Sequence, residues 1–112
     1  MNHREQAILT GLYSDVVAIS AIPMPSGYGY GIEKARIRDA QHGAVAIDPA
    51  KWIGRNVTAS ESVMNARAYK SLEELGFIER INAAVKTRAL RITEAGIVAA
   101  KELLAQEAPT DA

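Results

Sequence analysis
The order helix, glycine, hairpin between Ala59 and Ile92 constrains this chain more than any other feature of it. The run A-S-E-S-V-M-N-A-R-A-Y-K-S-L-E-E-L-G-F predicts one helix with a sharp stop. Ser60 is an N-cap residue type, Glu61 puts negative charge in the first turn, and Gly76 follows the last apolar position. Leu75, Leu72, Ala68 and Met64 form one apolar stripe at helical spacing. Rotation of roughly 100° per residue places Ser62, Ala66, Arg67 and Lys70 on the opposite side, which is small, polar and basic. After the glycine, F-I-E-R-I predicts a strand, a short polar link carries Lys86, and R-A-L-R-I predicts a second strand.

The flanking segments can be read around that unit. Asn2 to Ser20 predicts a first helix, with Ile8, Leu9, Leu12, Tyr13, Val16 and Val17 at three-and-four spacing. Its end, V-V-A-I-S, is β-branched and competes as a strand, and Pro23 and Pro25 stop either form. P-M-P-S-G-Y-G-Y-G over 23–31 is a loop, read either as a phosphate-cradling glycine run or as a connector, and the connector is preferred because no βαβ unit surrounds it. Ile32 to His42 predicts a charged helix on a thin apolar line of Ile32, Ala35 and Ala40. Asp39 and His42 have metal-ligand chemistry at three-residue spacing, against a solvated helix end without further ligands nearby. A-V-A-I from Ala44 predicts a short strand. Asp48-Pro49 is an N-cap followed by proline at the first helical position, opening P-A-K-W-I-G-R. Trp52 reads as a core residue in preference to a base-stacking platform. Thr93 caps a last helix to about Gln106, with Ile97, Val98, Leu103 and Leu104 apolar and P-T-D-A a frayed tail.

The run A-R-A-Y-K-S-L-E-E-L-G-F-I-E-R followed by R-A-L-R-I-T-E-A-G resembles the recognition helix and wing of winged helix-turn-helix transcriptional regulators, most closely the MarR-like kind. The residues that carry the resemblance are Arg67, Leu72, Glu73, Glu74 and Gly76, then Thr93 and Gly96, within Ile47 to Ala105. It implies a mainly α fold with a small β-hairpin, a winged helix-turn-helix extended by N- and C-terminal helices. The whole of 1–112 is then one domain: helices and a Gly/Pro linker over 1–43, the winged unit over 44–92, and a C-terminal helix and tail over 93–112. It also implies a homodimer through the first and last helices, against the plainer reading that both close the monomer's own core.

On this reading Ser60, Ser62, Arg67 and Lys70 face the major groove of duplex DNA, where hydroxyls bond phosphates or base edges and a guanidinium takes guanine bidentately. Lys86 and Arg88 of the hairpin reach backbone phosphate beside the same groove. The competing expectation makes Arg67 and Lys70 an ordinary solvated face, paired with Glu74 and Glu73 at helical neighbour spacing. Asn65, at the edge of the stripe, is expected to hydrogen-bond within the fold. A second function class is a winged helix used only for protein contacts.

Composition limits the alternatives. At 112 residues and 48% hydrophobic the chain suits one domain with one modest core. Without cysteine there is no disulfide, thiolate metal site or thiol nucleophile. No G-x-S-x-G, H-E-x-x-H or Walker lysine occurs, so no enzyme and no cofactor are expected. The polar start and the lack of a long apolar run lead to the expectation of a cytoplasmic protein with no membrane partner. The 13 basic and 13 acidic residues cancel. They are unevenly spread: eight basic and four acidic residues lie between Lys51 and Arg91. A chain polarised in this way offers phosphate a positive face.

Overall fold
The computed structural model describes residues 1–54, 58–81 and 88–107. Among these described residues five helices and three strands follow one another as α1 (His3–Ser20), α2 (Gly31–Gln41), β1 (Ala44–Ala46), α3 (Pro49–Ile53), α4 (Ala59–Glu74), β2 (Ile78–Ile81), β3 (Ala89–Ile92) and α5 (Glu94–Glu107). The three strands form one antiparallel sheet in the order β1-β3-β2. The fold is therefore mainly helical with a small antiparallel sheet.

α1 is the hub: it touches each of the other four helices and the strands β1 and β3. A capping box starts it, with the Asn2 side chain accepting from Glu5 N at 2.8 Å and Glu5 Oε1 accepting from Asn2 N at 2.9 Å. Ile8, Leu9 and Leu12 are fully buried against Leu72 of α4 and Leu90 of β3, among others in one cluster. Burying each such side chain contributes roughly 1.5–3 kcal/mol. V-V-A-I-S is helical: tertiary packing of Val16 and Ile19 on the core overrides its β propensity.

α2 differs from expectation in the face it buries. Ile37 and Ala40 point inward, whereas Ile32, expected in the apolar line, is 65% exposed. The short α3 starts as expected, with Asp48 Oδ1 accepting from Lys51 N at 3.3 Å and Pro49 at the first position. Trp52 is half-buried, its ring lying over Gly11 of α1 and its indole N–H donating to Asp15 Oδ2 at 2.7 Å. That makes it a packing residue of the α1–α3 contact.

α4 corrects two expectations. Its N-cap is Thr58, whose hydroxyl accepts from Glu61 N at 3.2 Å, so Ser60 lies inside the first turn. Its buried face is Asn65, Ala68, Tyr69 and Leu72, while Met64 and Leu75 are about half exposed. The stripe is rotated because Asn65 is not a defect in it: Asn65 Oδ1 accepts from Arg4 Nη1 at 2.6 Å. The same guanidinium pairs with Glu61 at 2.5 Å, both side chains being largely buried. The helix stops as expected at Gly76, which adopts φ 78°. Phe77 N donates to Leu72 O and Gly76 N to Glu73 O, the two bonds of a Schellman cap.

The cap leads straight into the sheet. Thr93 N donates to Phe77 O at 3.0 Å, and the Thr93 hydroxyl donates to Gly76 O at 2.6 Å while accepting from Gly96 N at 3.0 Å. One threonine thereby joins the end of α4, the start of β2 and the first turn of α5. The turn into α4 at 55–57, the link at 82–87 with Lys86, and the tail at 108–112 lie outside the described residues. No helix among the described residues is long and apolar enough to cross a membrane.

Candidate nucleic-acid interface
The outward face of α4 follows from the inward one. With Asn65, Ala68, Tyr69 and Leu72 turned to the core, steps of roughly 100° place Val63, Arg67, Lys70 and Glu74 along the middle of the opposite side. Ser60 and Ser62 fall on its two flanks. All six residues are exposed. The four helix residues expected to meet DNA are thus together on solvent-facing α4, though Ser60 and Ser62 stand on opposite borders of the face.

Ion pairing separates the basic residues into two groups. Arg80 bonds Glu73 at 2.5 Å, and Arg91 is paired with Glu79 across the β2–β3 register, its Nε donating at 3.1 Å. Those two arginines are neutralised locally. Among the described residues, Arg67 and Lys70 have no hydrogen-bond or ion-pair partner. Glu73, the partner that would have made Lys70 an ordinary paired surface residue, is engaged by Arg80. Glu74 stands one turn beyond Lys70 without pairing to it. Arg88 is exposed at the entrance of β3, one residue beyond the last paired position, Ala89↔Ile81. Lys86 lies outside the described residues.

The basic face is held from behind. Arg4 ties the start of α1 to Glu61 and Asn65 on the inner side of α4. Beside Arg4, Glu5 is buried near Ser71. Its carboxyl is held below the ordinary value first by the Ser71 hydroxyl and then by the Asn2 backbone N–H, against the opposing effect of burial. Tyr69 is the exception. Its hydroxyl is buried without a hydrogen-bond partner among the described residues, and burial pushes its pKa up. Arg4 gives no sign in the sequence of its role, because nothing local to a terminal arginine shows that it reaches Asn65 across the fold. Val63, 53% exposed at the centre of the outward face, is likewise absent from the expected site; the signal was present once Asn65 is counted as buried.

The Gly/Tyr loop before α2 is solvent-exposed. Lys34 Nζ, the cation nearest in sequence, donates to Gly27 O at 3.0 Å, and a Cβ at Gly27, Gly29 or Gly31 would meet nothing within 4 Å. No group of three or more His, Asp or Glu that could hold a metal is present among the described residues, Asp39 and His42 included. In comparisons with known proteins, no family model, no curated protein and no solved structure matches this chain.

Proposed function
We propose that this chain is a MarR-like winged helix-turn-helix domain that binds duplex DNA and acts as a cytoplasmic transcriptional regulator, without enzymatic activity. In this reading α3 and α4 are the helix-turn-helix, β2 and β3 the wing, and α1 and α5 the surfaces through which two copies associate. The observation that carries it is the division of the basic residues. Arg80 and Arg91 are spent on local carboxylates, while Arg67 and Lys70 stand exposed on one helix face, unpaired among the described residues. A planar guanidinium held free on a rigid helix suits bidentate reading of guanine, and Lys70 suits phosphate. Ser60 and Ser62 on the flanks, and Lys86 and Arg88 on the hairpin, supply further phosphate contacts. Dimerisation would present two such helices to half-sites about one helical turn apart.

A second reading is supported by Val63 and Met64, 53% and 46% exposed on α4. Under it the same face docks a protein partner and DNA is not bound. Selection from a random duplex library, followed by a salt series on the selected site, separates the two. The DNA reading requires affinity that falls linearly in log salt and drops with Arg67→Ala together with sequence preference. Failure to select any duplex at low salt favours the protein-docking reading.

A further inference from the structure
A cleft of about 300 Å3 opens on another part of the molecule, where α1, α2, α3 and β1 meet. That is the lower end of the range for small-molecule sites, so it suits a metabolite of a few heavy atoms. Its apolar wall includes Ile19 and Ile47, and its charged groups include Arg36 and Asp39 of α2. These two are three residues apart, the spacing at which opposite charges on a helix ordinarily pair. Among the described residues they do not pair with each other or with anything else. The other ions of the cleft are committed: Asp15 holds Lys51 at 2.6 Å and the Trp52 indole at 2.7 Å, and Asp48 caps α3.

The floor of the cleft adds unpaired backbone. Among the described residues β1 pairs only with β3, and the Ile92 N to Gly43 O bond at 2.9 Å sets which residues face it. The Gly43 carbonyl and the Val45 peptide groups turn toward β3, the Gly43 N–H donating back to Ala40 O at 2.9 Å, so Ala44 and Ala46 turn their N–H and C=O to the open edge. No hydrogen bond from another described residue reaches those groups. Ala44 is 3% exposed and Ala46 half-buried, so the part of this edge that a ligand can reach is chiefly that of Ala46. Among the described residues the site therefore combines an unpaired cation, an unpaired anion, amide donors and acceptors, and an aliphatic wall.

We propose that this cleft binds a free aliphatic α-amino acid. Arg36 takes the α-carboxylate and Asp39 the α-ammonium group. The edge of β1 supplies amide hydrogen bonds to the same two groups, and the aliphatic side chain lies against Ile19 and Ile47. This does not depend on the DNA reading, and its test does not involve DNA.

The test is calorimetric titration of the full chain with L-valine, L-leucine and L-isoleucine, up to about 10 mM so that even a weak millimolar site is seen. L-leucinamide and N-acetyl-L-leucine, each lacking one of the two charges, serve as controls. The expected result is saturable binding of at least one free amino acid. Both controls should bind it at least about tenfold more weakly, about 1.4 kcal/mol. Arg36→Ala and Asp39→Asn should each cause a similar loss without changing the unfolding temperature of the ligand-free protein. The proposal is overturned if none of the three amino acids gives saturable heat, if the controls bind as well as the parent, or if both variants retain full affinity.

Discussion

Replacing Gly96 with alanine tests the junction on which α4, the sheet and α5 all depend. Gly96 is the third residue of α5. A Cβ built there lies 2.1 Å from Phe77 O and 2.8 Å from Ile92 Cγ1. Ordinary contact is wider by roughly 1 Å or more, so the Phe77 carbonyl or the helix must retreat by that much. The carbonyl is poorly placed to do so. It accepts from Thr93 N at 3.0 Å, and the N–H of the same residue closes the Schellman cap on Leu72 O at 3.0 Å. Losing two backbone hydrogen bonds costs about 2 kcal/mol, and overpacking adds about 1–3 kcal/mol. Alanine's better helix propensity offsets about 1 kcal/mol of this. The net expectation is a loss of about 2–4 kcal/mol, or about 8–16 °C in Tm for a domain of this size. Urea denaturation followed by circular dichroism measures it. A variant as stable as the parent, or more stable, would mean that propensity outweighs the clash and that the Phe77–Gly96 approach is not a constraint.

Tyr69→Phe removes a buried hydroxyl without a partner among the described residues, so stability should hold or rise by up to about 1 kcal/mol; a loss above about 1 kcal/mol would show that the hydroxyl is hydrogen-bonded in solution. Arg4→Ala removes charge-assisted bonds to Glu61 and Asn65 and should cost about 3 kcal/mol in denaturant unfolding, with a cost under about 1 kcal/mol contradicting the account of how α4 is held. Glu5 titrates below its ordinary value of 4.5 in the folded state, so its contribution is fully present above that value and is lost as pH falls through the lower, folded one. The stability gap between the parent and Glu5→Gln should therefore narrow as pH falls below about 4.5, and a gap that widens toward acid reverses the sign.

The parts of the fold legible in the sequence were those fixed by local chemistry. Asp48-Pro49 opens α3, Gly76 stops α4 and Thr93 caps α5 because each signal acts within a few residues of itself. The register of buried faces was harder. On α4 hydrophobicity favours Met64 and Leu75, yet the core takes Asn65 and Tyr69, since Arg4 satisfies the asparagine from a distant helix. On α2 Ile37 and Ile32 are chemically alike, and only the position of α1 decides which is covered. Ser60 and Thr58 are both good cap residues two positions apart, and the structure uses the earlier one. For the candidate interface, the residue types and their exposure were readable. The engagement of Glu73 by Arg80, which leaves Lys70 unpaired, needed the folded strand beside the helix.

The most direct test of the central claim is the salt dependence of binding to a selected duplex, measured by fluorescence anisotropy for the parent and for the double variant Arg67→Ala, Lys70→Ala. A straight line in log affinity against log salt is expected. Removing Lys70 alone should lower the slope by about 1, and the double variant should lose discrimination between the selected site and a scrambled one. Binding that ignores salt, or a double variant that keeps both slope and discrimination, would contradict the assignment of α4 as the helix that meets DNA.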